Sequence, residues 1–365
     1  MTKDKSVRLD FVDLLKCMAI YFVLLYHFPI MEFGFLAKDS FEDYFGYLIE
    51  ALLGTSVTTF FFVNGGLLFR KEHLDIKKHA IKTLKIIGLT VTWGVLTIAI
   101  LAAARGEQLS VGTVLEFLYH LEEDWVDHLW FMQTLTILYI FFPLLFLAFK
   151  KDVRYHYFFL GFAFLFTCFN NLLGMGAILL SMSTDIIPLN DYTWFNFFSS
   201  FNPFANISGI VGLVYFLLGG LFFSNLDRFK SKKMRLWAMG VLVISTSILV
   251  IFGIQFSFAI DEVWDISWGG GESIFTVLNV IAIAILALNY KAKSWYGKLI
   301  RLISDYTLSI YLTHMIVAEF LLPYFPLKGL VGELSFSLIV LLVSTVIGII
   351  LVRIPLLNKI ATIRG

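Results

Sequence analysis

Residues 1–30, MTKDKSVRLDFVDLLKCMAIYFVLLYHFPI, decide the class of fold. A basic start of Lys3, Lys5 and Arg8 leads into a mostly apolar run from Phe11 to Ile30. Crossing a bilayer takes about 20 such residues, because backbone groups in lipid must be satisfied within their own segment. No small-residue cleavage site follows the run, so it reads as an uncleaved first transmembrane helix and not as a removable signal peptide.

Further stretches of the same kind follow near 44–69, 83–104, 129–149, 155–180, 207–224, 234–258, 273–290, 300–323 and 333–353, the fifth stretch interrupted by Asn170, Asn171 and two glycines. Composition agrees: 59% of the 365 residues are hydrophobic and 15% charged, against roughly 45–50% and about 25% in a soluble domain. A net charge of +1 argues against a nucleic-acid partner. Cys17 and Cys168 both lie in apolar runs, so neither a structural disulfide nor a metal site is expected.

The loops sort by charge. Lys and Arg collect at the N-terminus, at 70–85, 150–154, 228–235 and 291–301, and at the C-terminus, in every second loop. The intervening loops hold only Lys38, Arg105 and Lys328, and Lys16 lies inside the first helix. Cytoplasmic loops carry the excess of Lys and Arg. The expectation is an all-α polytopic membrane bundle of about ten transmembrane helices, N-in and C-in, multi-pass in the cytoplasmic membrane and surrounded by its lipids. Residues 1–365 are expected to form one domain with no appended soluble domain.

An ionisable residue well inside a span costs roughly 2.5–3.5 kcal/mol and asks for a partner or a function. Asp13, Lys16 and His27 project onto one face of the first helix at about 100° per residue. Asp13 and Lys16 are close enough to pair, and His27 sits about 16 Å further along the axis, the span of an extended pantetheine arm. An interfacial ion pair and a packing histidine would account for the same stripe. In the ninth stretch His314 has Tyr311 one turn before it and Asp305 further back. His128 opens HLWFMQTL beyond the acidic residues Glu122, Glu123, Asp124 and Asp127, beside Trp130. Either histidine is equally read as a polar packing or interfacial residue.

These segments resemble the acyltransferase-3 family of bacterial membrane O-acyltransferases. DLLKCMAIYFVLLYH (13–27), preceded by Arg8, is similar to the family's opening motif of an Asp, a basic residue three later and a His eleven beyond. FFFVNGGLLFRKE (60–72), DHLWFMQTL (127–135) and ISDYTLSIYLTHM (303–315) resemble further blocks in the same order. Two positions depart from the pattern: Lys16 stands where Arg is common, and Asn64 where a Ser is usual before Gly65.

The resemblance implies an acyl-CoA donor substrate, usually acetyl-CoA, with no permanently bound cofactor, and an extracytoplasmic glycan acceptor: an O-acetyltransferase that modifies a polysaccharide. It implies that Lys16, Arg70 and Lys71, with Asp13 and Arg8 nearby and help from Lys78 or Lys82, hold the donor phosphates. His27 is then the general base, and His314 and Tyr311 orient the donor or stabilise the oxyanion; by its depth near the outer end of the second stretch, Glu50 is expected to orient His27. His128, Asp127, Trp130, Trp264 and Trp268 are expected to meet the acceptor, since aromatic faces stack on sugars and carboxylates accept from hydroxyls. An exporter or flippase of polysaccharide or lipid-linked sugar is the rival reading, because intramembrane charges suit transport too.

Overall fold

A computed structural model describes residues 8–27, 41–184, 210–260, 270–325 and 329–362. Trp264 and Trp268 lie outside the described residues. The helices, in chain order, are α1 (Asp10–His27), α2 (Phe41–Leu53), α3 (Thr55–Phe69), α4 (Ile76–Arg105), α5 (Val111–His120), α6 (Trp130–Lys151), α7 (Val153–Phe164), α8 (Asn170–Ser183), α9 (Ile210–Ser224), α10 (Leu226–Phe229), α11 (Lys232–Ile260), α12 (Ile274–Ala287), α13 (Trp295–Leu321), α14 (Gly329–Arg353) and α15 (Pro355–Ala361). No strand occurs among the described residues.

The molecule is an all-α polytopic membrane bundle. Among the described residues, 7 helical segments are long and apolar enough to cross a membrane. Val211–Ser224 and Ile274–Ala287 are shorter apolar helices, and α1 carries Asp10, Asp13 and Lys16 in its 18 residues. Each stretch expected to span holds helix, with two local departures. The second is broken at Gly54 into α2 and α3. The fifth runs through a π-helical turn at Leu165–Phe169 just before the Asn170–Asn171 pair, the kind of local widening that interrupts a regular helix.

Helix ends follow local chemistry. Asp75 accepts from the Lys78 N–H at 3.0 Å to start α4, and Gly106, at φ +72°, ends it in the left-handed region that favours glycine. Between α4 and α6 lies α5, which the sequence had read as loop. Val111, Leu115 and Tyr119, one helical turn apart in succession, are all exposed, the pattern of a helix lying in the membrane interface.

The closest helix pair is α3 with α9. Both carry the pattern F-x-x-G-G-x-x-F, at 62–69 and 216–223. A Cβ on Gly65 would collide with the carbonyl of Phe216, and one on Gly219 with that of Phe62. Phe223 covers Gly66 and Phe69 covers Gly220, so the two parallel helices interlock reciprocally. With no hydrophobic drive between helices in lipid, such small-residue contact is what allows close van der Waals packing.

A second parallel pair, α1 with α13, builds the site. Asp10 accepts from Arg301 at 2.7 Å and from the Ala292 N–H at 3.1 Å, setting the register at the start of both helices. Phe11 meets Phe223 at 5.4 Å, while Phe69 packs on Phe149 and His156. The start of α1 therefore shares one end of the bundle with the ends of α3, α6 and α9. The end of α1 shares the opposite end with the start of α6 and the end of α4.

Candidate active site

The polar stripe of α1 faces α13 along its length. Lys16 Nζ donates to the Ser304 carbonyl at 2.7 Å. Asp13 does not serve Lys16 in the way the spacing suggested. Its carboxylate accepts from Arg8 Nε at 2.7 Å and Nη2 at 2.9 Å, and from Ser304 Oγ at 2.7 Å. Arg8 continues to Asp305 at 3.1 Å, and Asp13 and Asp305 raise its already high pKa further, against the lowering effect of burial. Asp13 thus spends itself on Arg8 and Ser304, and Ser304, whose part sequence reasoning missed, joins Asp13 to Lys16.

Eleven residues beyond Lys16 on α1, His27 meets His314, which lies ten residues beyond Ser304 on α13. The nearly equal advance, eleven residues against ten, keeps both pairs facing. The ring centroids of His27 and His314 are 5.2 Å apart, and His128 completes the group at 5.3 Å from His314 and 6.3 Å from His27. His128 and His314 are buried, at 1% and 0% exposure, and His27 is half-buried. Three imidazoles from three distant parts of the chain therefore share one small volume.

Hydrogen bonds fix what each can do. His314 Nδ1 lies 2.6 Å from the Tyr311 carbonyl. A carbonyl only accepts, so Nδ1 carries the proton and Nε2 of the neutral ring holds the lone pair. That Nε2, and both ring nitrogens of His128, are buried with no partner among the described residues. Tyr311 donates its hydroxyl to the carbonyl of His128. A phenol has a single proton, so in this arrangement Tyr311 positions His128 and has none left for an oxyanion.

The remaining expected residues fall into three places. Glu50 is buried on α2, and Leu53, one turn after it, packs with Leu25 of α1, which sets Glu50 near the depth of His27. Trp130 meets Phe61 at 6.3 Å with the rings tilted by 53°, and Phe131 reaches Tyr311 at 5.4 Å, so aromatic rings of this segment pack beside the histidine group. Asp127 precedes His128 in the short 3-10 turn Asp127–Leu129, with Oδ1 buried and without a partner among the described residues.

At the opposite end Arg70 and Lys71 lie just past α3. The Lys71 ammonium is pushed below the usual lysine range, by partial burial first and by nearby Lys82 second. Lys82 donates to the Tyr139 hydroxyl at 3.3 Å, which donates to Asn64 Oδ1 at 3.3 Å. The unusual Asn64 thus has a role as the acceptor of that chain, its amide turned to the Phe60 carbonyl. Sequence reasoning also missed Arg105 and Glu319, which pair at 2.8 Å beyond the histidines. Their only signal was a cation in a loop otherwise poor in them.

Such a site offers open imidazole lone pairs, one uncommitted N–H on His128 and a seam of polar contacts leading to a basic end. A family model described as an acyltransferase domain matches residues 9–353. No curated protein and no solved structure is matched.

Proposed function

The chain belongs to the acyltransferase-3 family, and from that premise we infer that it moves an acyl group, acetyl in the first instance, from cytosolic acyl-CoA to a hydroxyl of an extracytoplasmic glycan. One observation carries the reading: Lys16 and His27 face the same partner helix, about 16 Å apart along α1. An extended pantetheine arm has that reach, with its phosphates at the basic end and its thioester at the imidazoles.

The basic loops support a cytosolic position for that end, and the reading is of an N-in, C-in enzyme of about ten spans in the cytoplasmic membrane, one acyltransferase domain throughout. Lys16, Arg70 and Lys71, supported by Lys82, hold the donor phosphates through charge-assisted contacts, and the Arg8–Asp13–Ser304 contacts keep Lys16 in place. His27 acts as general base on the acceptor hydroxyl. His314, 5.2 Å from His27 between ring centroids, keeps the lone pair of its Nε2 open towards the site and orients the donor. Glu50 lies at the depth to assist. Asp127 and Trp130, with Trp264 and Trp268, receive the sugar.

The test is direct. Membranes containing the protein, given radiolabelled acetyl-CoA, are expected to pass label into the polysaccharide fraction, and His27→Ala is expected to abolish transfer. Unimpaired transfer by His27→Ala would exclude the mechanism. Movement of glycan across reconstituted vesicles without acyl transfer would establish the exporter in its place.

A further inference from the structure

His128 has no role yet that explains its burial. Its ring is 1% exposed, both nitrogens lack a partner among the described residues, and its neighbours are His27, His314 and the Tyr311 ring at 5.9 Å. Leaving a buried polar group unsatisfied forfeits its hydration without return, so native structures keep few of them and keep them for a reason.

The hydrogen-bond inventory says which reason. Neutral imidazole has one N–H and one lone pair. His314 has already given its N–H to the Tyr311 carbonyl and offers only a lone pair. Tyr311 has given its hydroxyl proton to the His128 carbonyl. Of these three buried groups, His128 alone keeps an uncommitted N–H. We propose that His128 is the oxyanion donor of the acyl transfer: its ring N–H receives the carbonyl oxygen of the thioester as that oxygen becomes negative.

This deepens the acyl-transfer reading and rests on it. The acceptor oxygen attacks the thioester carbon, a C–O bond forms, and the carbonyl electron pair moves onto oxygen, where His128 donates to it. The hydroxyl proton passes to His27. As the intermediate collapses, the C–S bond breaks and the thiolate takes the proton back from His27, leaving the ester, free CoA thiol and a neutral His27. His128 neither gains nor loses a proton. A donor that does not titrate must be aimed in advance, and two contacts aim this one. Tyr311 holds its carbonyl, and Arg105 ties the turn before it to α13, through Glu319 at 2.8 Å, the Asp124 carbonyl at 3.3 Å and the Trp125 ring at 4.8 Å.

The experiment compares His128→Ala with His128→Gln and His128→Asn, whose amide N–H groups donate but take up no proton at neutral pH. Each is assayed with radiolabelled acetyl-CoA in membranes alongside the wild type, its folded amount measured by size exclusion in detergent. His128→Ala is expected to lose roughly a hundred- to thousand-fold in kcat with the acetyl-CoA KM within about two-fold, and at least one amide variant to recover about ten-fold or more of that loss. Full activity in His128→Ala, or amide variants that are folded yet as slow as the alanine, would overturn the role and leave the acyl-transfer reading standing. Wild-type membranes that transfer no label overturn both.

Discussion

At the scale of single residues, the site divides its labour by what each side chain has already committed. Lys16 donates to Ser304 O and still presents an ammonium at the basic end of the α1–α13 seam. Lys16→Ala is therefore expected to raise the acetyl-CoA KM about ten-fold while leaving kcat nearly unchanged, as removal of uniform donor binding does. Steady-state kinetics at varied donor check this, and an unaltered KM would remove Lys16 from the phosphate site. Tyr311 acts at a distance from the donor phosphates. Tyr311→Phe keeps the ring against Phe131 and deletes the bond to His128 O, so kcat is expected to fall about ten-fold with KM unchanged. Equal loss in kcat and folded yield would instead mark a structural role.

At the scale of helices, the α3–α9 pair and the Arg105–Glu319 bridge hold the frame. Gly219→Ala drives a methyl into the Phe62 carbonyl, which is backbone and cannot rotate aside. Overpacking a tight interface costs about 1–3 kcal/mol or more, so this variant is expected to lose most of its folded material in detergent. Gly240→Ala on α11, where a Cβ meets nothing within 4 Å, is the matched control and is expected to be neutral or slightly stabilising. Arg105→Glu and Glu319→Arg are each expected to slow turnover, and the double charge swap to restore part of it. A double variant no better than the singles would show that the bridge does not position His128. These contacts were not legible along the chain: F-x-x-G-G-x-x-F acquires meaning only once two copies lie side by side, and Arg105 is separated from Glu319 by 214 positions.

At the scale of the whole molecule, the proposed transfer requires the two ends of the bundle to meet different solvents. Basic residues flank the ends of α3, α4, α6 and α9 that gather with the start of α1, and the three histidines lie towards the other end. Cysteines introduced one at a time at Lys151 and Lys293, in a background with Cys17 and Cys168 replaced, are expected to react with a membrane-impermeant maleimide only from the cytosolic side. Labelling from outside would invert the donor and acceptor faces and remove the physical basis of the corridor.

The sequence by itself determined the class of fold, the apolar stretches that become helices and the sorting of basic loops, because hydropathy and charge act locally and survive in one dimension. It also marked His27, His314 and Lys16, since a polar group in an apolar run stands out without any knowledge of its neighbours. Only the tertiary structure decided that Asp13 belongs to Arg8 and Ser304, that Tyr311 is already spent on His128, and that His128 stands with the other two imidazoles. Those facts depend on which side chain reaches a given donor or acceptor first, a competition settled by packing across helices far apart in the chain.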